Sequence, residues 1–154
     1  MQIESSRFGS ITIAEDQVIN FRHGLIGLSD VTRFVLLAAG TANKEPLFYW
    51  LQALEDPSVA FLVTDPNLFF KDYDVPIREE TQDELNLADT KDGRVLVICN
   101  RVGEWLTGNL LGPLIINTAT QKGEQVVLTA EKKWTCRQPL MKLQSEQSQA
   151  RAAA

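Results

Sequence analysis

His23 is the only side chain in this sequence whose unperturbed acidity suits a general base near neutral pH. A Ser–His or Cys–His nucleophile pair would have to use it. It stands in Arg22-His-Gly-Leu-Ile-Gly27, a loop-like stretch of glycine and aliphatic residues with no candidate nucleophile beside it. The expectation is a structural or solvent-facing histidine. No P-loop, G-x-G-x-x-G or G-x-S-x-G pattern occurs. Cys99 and Cys136 have no second ligand at metal spacing and make no disulfide framework, so both read as reduced thiols, Cys99 packed inside a strand. The neighbouring carboxylates Glu55-Asp56 and Glu79-Glu80 read as solvated, not as a desolvated acid paired with a base. The chain is therefore expected to be no enzyme and to hold no cofactor or metal.

Charge is the stronger signal. The net charge is −5 over 154 residues. Residues 72–92 hold eight acids against two bases, a local charge of −6, which leaves the remainder near +1. Nucleic-acid binding needs a basic face, and none is present, so no direct nucleic-acid contact is expected. An acidic face suits a basic protein partner, and it also suits plain solubility. Two aromatic clusters stand out. Phe48-Tyr-Trp50 sits within an apolar run and reads as core. Phe69, Phe70 and Tyr73 lie in a polar stretch between Pro66 and Pro76. Two adjacent phenylalanines cannot both face inward on a regular strand, so one is expected to cover an end of the fold and the other to face a partner.

Strand signals must position these groups. Apolar or alternating runs cover 2–8, 10–14, 18–21, 33–38, 47–54, 59–63, 94–99, 105–111 and 133–140. Leu114 to Ile116 and Gln125 to Leu128 flank a polar stretch carrying Gly123, which reads as a hairpin whose turn uses that glycine's conformational freedom. One helix is expected near 76–86, with Pro76 at its start, Ile77, Thr81 and Leu85 on one face, and Glu79, Glu80, Asp83 and Glu84 on the other. Its apolar stripe is thin, which places it on the surface. Many short strands with one short helix indicate a mostly-β single domain, a barrel or a sandwich. The domain is expected over 1–142, with 143–154 a disordered polar tail. No segment has the ~20 apolar residues of a membrane helix, and the start resembles no secretory signal.

Four segments in the same order resemble the flagellar assembly factor FliW family. They are Phe21-Arg-His-Gly-Leu-Ile-Gly-Leu28, then Phe48 to Gln52 with Asp56 to Pro66 and Leu68-Phe-Phe70, then Asn109 to Leu128, and finally Cys136-Arg-Gln-Pro-Leu140. The sequence departs from the family pattern at Arg22, Ile26, Leu28, Asn67, Lys71, Gly112 and Gln121. The lost prolines loosen two loops.

The resemblance implies a compact, monomeric, β-barrel-like domain of short antiparallel strands in the cytoplasm. It implies a regulator that binds the dimeric RNA-binding translational repressor CsrA and relieves its repression of flagellin mRNA. Flagellin is the competing partner, so the two equilibria are coupled. On this reading Glu79, Glu80, Asp83 and Glu84 supply an acidic field for the repressor, and Phe69, Phe70 and Tyr73 form an apolar site for flagellin's amphipathic helices. The competing readings are a small-molecule-binding barrel with Trp50, Phe61 and Phe48 lining a pocket, and a hydrolase built on His23.

Overall fold

Strands of three to seven residues dominate the chain, and a strand that short buries its apolar side chains only inside a larger sheet. The computed structural model describes residues 1–39, 46–89, 92–129 and 133–143. In order these form β1 (Gln2–Ser5), β2 (Gly9–Thr12), β3 (Ile19–Phe21), β4 (Arg33–Ala39), β5 (Phe48–Ala53), β6 (Ala60–Thr64), α1 (Glu79–Leu85), β7 (Gly93–Val102), β8 (Trp105–Gly108), β9 (Leu114–Asn117), β10 (Lys122–Gln125) and β11 (Gln138–Lys142). The tail expected over 143–154 lies, beyond Leu143, outside the described residues.

The long strand β7 organises the sheet. Its first residues pair with β9, Val97 and Ile98 pair with β6, and its last four residues pair with β8. From β6 the ladder runs through β5, β4, β3 and β10 to β9, which returns to β7 and closes a ring of seven strands. Strands β8 and β11 extend from the far end of β7. Six contacts in the ring are antiparallel, and β3–β10 is parallel. The expectation of antiparallel strands thus meets one exception. An odd ring forces it, because strand directions can alternate all the way round only when the strand number is even.

The ring interior is filled. Phe21, Phe34, Leu51, Val63, Leu96, Leu114 and Ile116 are buried there, and the rings of Phe21 and Phe34 meet edge to face at 5.5 Å. Alternation along β5 sends Tyr49, Leu51 and Ala53 inward with Phe61 of β6. Phe48 and Trp50 lie on the outer face, half-buried, Phe48 against Phe69 and Trp50 under the Arg7 guanidinium at 3.9 Å. Phe48, Trp50 and Phe61 therefore do not line a common pocket. Outside the ring, the β1–β2 hairpin packs Ile3 and Ile13 on Val35. Gln52, fully buried, accepts from Ser5 Oγ at 2.7 Å and donates to the carbonyls of Ala53, Pro57 and Val59. A lone polar residue in an apolar run gave no sign of that role.

The β9–β10 hairpin differs from its expected form. Its second strand falls on the polar residues 122–125, and the positive φ belongs to Gln121 (57°) instead of Gly123. Gly123 serves close approach: a Cβ there would lie 2.7 Å from Cε1 and Cζ of Phe21, where β10 runs beside β3. Helix α1 starts at Glu79, leaving Pro76 in the extended stretch before it, and Arg78 provides no side-chain cap. The helix ends at Asn86 in the left-handed conformation (φ 57°). Its last carbonyls are capped from the β9–β10 hairpin: Asn117 Nδ2 donates to Leu85 O at 2.8 Å, and Thr120 Oγ1 donates to the same oxygen. The late extended stretch expected over 133–140 becomes a buried Trp134 followed by β11.

Gly123→Ala should be strongly destabilising, by about 1–3 kcal/mol in urea denaturation, because the fully buried Phe21 ring has no room to retreat. A variant as stable as the parent would show that this close approach does not constrain the β3–β10 contact.

Candidate functional site: the acidic helix and the strand edge beside it

Thr81 and Leu85, one turn apart, are the buried face of α1, and Leu85 packs in a cluster with Ile115, Leu87, Val126 and Ile77. The opposite face must then carry the charge, and Glu79, Glu80, Asp83 and Glu84 are all exposed on it. The carboxylates of Glu79, Glu80 and Asp83 make no hydrogen bond or ion pair among the described residues. Two of these acids sit in the first turn, where the helix dipole favours negative charge.

Glu84 is different. Its carboxylate lies 3.4 Å from His23 Nε2, and a carboxyl oxygen of Glu124 on β10 lies within 4.8 Å of it. The neighbouring Glu124 carboxyl holds Glu84 below the usual carboxylate range against a smaller opposing effect of desolvation, and His23 and Arg22 add to the lowering. Burial raises Glu124, and the Glu84 carboxylate beside it raises it further. The two acids behave as a carboxyl–carboxylate pair with the proton favouring Glu124. Three ligand-type atoms from His23, Glu84 and Glu124 lie within 4.8 Å of one another, a donor set that a divalent cation could accept. Two of the three residues are exposed, and exposed acidic groups commonly gather without an ion. His23 makes no hydrogen bond to a hydroxyl or thiol among the described residues, so the pairing a hydrolase needs is not assembled. Burial pushes the Cys99 thiol up to about 12, far from the thiolate a nucleophile requires. Sequence spacing gave no hint that His23, Glu84 and Glu124 converge, since each comes from a different element.

Beside this cluster a cleft of about 560 Å³ opens between the start of the helix and the stretch that continues β10, lined by Pro76, Arg78, Glu80, Thr81, Glu124 and Val127 among others. The loop after β3 reaches its rim, where the Ile26 N–H donates to Gln125 Oε1 at 2.8 Å. Ile26 is 64% exposed and Val127 is 53% exposed.

The aromatic candidates divide. Tyr73 is 4% exposed, and its hydroxyl donates to Leu110 O at 2.7 Å within a cluster that includes Val97 and Trp134. Phe70 is half-buried with its ring 5.0 Å from Trp134, and Phe69 is half-buried against Phe48. The exposed apolar group at this turn is Leu68, at 55%. Asn67, one of the departures from the family pattern, holds the turn by donating from Nδ2 to the carbonyls of Phe70 and Tyr73.

The model of the family described as FliW protein matches residues 2–140. The chain belongs to the FliW family. It is 37% identical over 152 residues to a flagellar assembly factor FliW of Alkaliphilus metalliredigens, covering 97% of this chain and 92% of that one. A FliW of Treponema denticola is 36% identical, covering 92% and 94%. A crystal structure of the flagellar assembly factor FliW superposes with a TM-score of 0.79 at 26% identity, covering 92% of this chain and 97% of that one. These relatives are flagellar assembly factors, not a known family of enzymes. The FliW-like segment Phe21–Leu28 is largely scaffold here: Phe21, Gly24 and Leu25 are buried, and Gly24 has φ +67° with Leu28 O against its missing Cβ. Its departures Arg22 and Ile26 are exposed next to the acidic cluster. No helix among the described residues is long and apolar enough to cross a membrane.

The carboxyl pair sets a pH dependence. Glu124 is raised, so its contribution to stability is complete at low pH and declines as pH climbs from the ordinary glutamate value of 4.5 through the raised one. Glu84 is lowered, so its contribution is present above that value and is lost as pH falls through the lowered one. Glu124→Gln keeps a donor to Glu84 and removes the repulsion. Thermal melts should place the variant above the parent around pH 7, by a margin that solvent screening keeps small, with the two converging near pH 4. A variant less stable than the parent at neutral pH would contradict repulsion between the two carboxyls.

Proposed function

We propose that this FliW-family chain is a cytoplasmic partner-switch regulator that binds CsrA through the exposed face of α1 and binds flagellin as the competing partner. The observation that carries it is the set of three carboxylates, Glu79, Glu80 and Asp83, that have no side-chain partner among the described residues, on a helix beside an open cleft. An RNA-binding repressor is basic where it meets phosphate. An acidic helix docked next to that surface attracts the repressor at long range and repels the RNA backbone, with no nucleic-acid contact of its own. Glu84, already engaged by His23 and Glu124, fixes the helix against β10 and contributes less free charge.

Flagellin's amphipathic helices need an apolar surface. The turn at 66–70 offers Leu68 with the outer edges of Phe69 and Phe70, and Leu47, also exposed, precedes the Phe48 that packs on Phe69. Tyr73 supports that turn from inside through its bond to Leu110. The regulator works as a monomer, and competition between its two partners sets the free repressor concentration.

Isothermal titration with the cognate CsrA, alone and with saturating cognate flagellin, tests the switch. CsrA should bind, and flagellin should abolish that binding. The combined reversals Glu79→Lys, Glu80→Lys, Asp83→Lys and Glu84→Lys should weaken CsrA binding at least about tenfold in low salt, with the circular-dichroism spectrum unchanged. Affinity that is unchanged by reversal or by added salt would remove the acidic helix from the interface.

Flagellin binding should respond to a different set. Leu68→Ala and Phe69→Ala should each cost about 1–2 kcal/mol of flagellin affinity and leave CsrA affinity unaffected. Flagellin titrations indifferent to both substitutions would exclude this turn as its site.

A further inference from the structure

The stretch after β10 is extended chain that keeps main-chain contact on one side only. Val126 N–H donates to Pro113 O at 3.0 Å, and Leu128 N–H donates to Leu111 O at 2.8 Å, so the antiparallel ladder with the β9 side continues past Gln125. On the other side, β10 is paired with β3 only at Lys122 and Gly123. Main-chain groups of alternate residues point to opposite sides of a strand. The N–H and C=O of Val127 and Thr129 therefore point away from the β9 side, and among the described residues they make no hydrogen bond. Both residues are exposed and both line the cleft beside α1. An unpaired strand edge in a groove is a template for another strand.

We infer that this cleft takes an extended segment of a basic protein, which adds to the sheet as a strand along Val127 and Thr129 with alternate cationic side chains facing Glu80 and Glu124. The charge around the cleft decides the occupant. Glu80 and Glu124 line the cleft, and Glu79 and Asp83 lie on the same helix with no side-chain partner among the described residues, against the single base Arg78 in the lining. A second copy of this chain is disfavoured, because edge-to-edge pairing would bring two such acidic helices together. Side chains on an added strand alternate, so one face of the incoming segment meets the helix and the other meets Ile26 and Val127. A volume of about 560 Å³ lies within the range of pockets that enclose a ligand of several residues' bulk.

The inference deepens the proposed function and rests on it only for the sign of the partner's charge. Its test uses a short peptide of alternating lysine and valine in low salt, with amide shifts and hydrogen exchange as readouts. Binding should shift and protect the Val127 and Thr129 amides. A peptide N-methylated on alternate residues, or one with glutamate in place of lysine, should lose that binding. Val127→Pro deletes an N–H with no partner among the described residues, so the fold should be retained, and it should weaken the lysine peptide about tenfold. Lysine-peptide binding that ignores N-methylation and Val127→Pro, or no binding at all in low salt, would overturn the strand edge. With CsrA as ligand the two readings separate. A loss on charge reversal but not on Val127→Pro would keep the acidic helix and discard the edge. A loss on Val127→Pro but not on charge reversal would keep the edge and discard the acidic helix.

Discussion

An odd number of strands closes this sheet, and much else follows from that. Seven strands in a ring cannot all run antiparallel, so one neighbouring pair must be parallel, and it is β3 with β10. A parallel pair cannot be joined by a tight turn. Its two strands here come from opposite ends of the sequence, and their contact is secured by side-chain fit, with the Phe21 ring lying on the bare Cα of Gly123. The pairing is also short. β10 leaves β3 after two residues, so the chain beyond it runs on with one edge uncovered. The parallel contact thus delivers the loop after β3 to one flank of β10 and leaves open the edge that the helix overhangs.

Helix α1 has little holding power of its own. At seven residues it is below the length at which an isolated helix is stable in water. It is held by burial of Thr81 and Leu85 and by the cap that Asn117 and Thr120 supply from the β9–β10 hairpin. That attachment lets the outer face be almost entirely acidic without a compensating base. Such exposed charge gives encounter rate, partner choice and salt sensitivity more than raw affinity, and its reach is about 8 Å at physiological ionic strength. Tight binding therefore needs apolar or main-chain contact nearby, which Val127, Ile26 and the free edge provide.

The aromatic turn and the cleft share a wall. Phe70 packs against the cluster of Tyr73, Val97, Leu110 and Trp134, and so do Val75, at the approach to the helix, and Leu128, on the open strand. A ligand at either place rests on the same group of side chains. Contact of this kind is a route by which one partner can be felt by another, and a measured coupling energy is what would establish it.

Much of the fold was legible in the sequence, because strand periodicity and turn chemistry are local. The strands β1 to β9 fall close to their apolar runs, and the helix falls on its acidic stretch. The acids on α1 were legible for the same reason, since i, i+4 spacing puts Thr81 and Leu85 on one side and the charge on the other. Three things were not. The second strand of the last hairpin lies on polar residues, because the parallel neighbour β3 and the ring closure choose its register. Gln52 is buried because the N-terminal hairpin lies over it, and nothing near it in sequence signals that. The meeting of His23, Glu84 and Glu124 depends on three elements brought together by the ring. Local pattern determined what each segment is. Which segments touch was decided only by closing an odd-stranded sheet, since that fixes contacts between residues far apart in the chain.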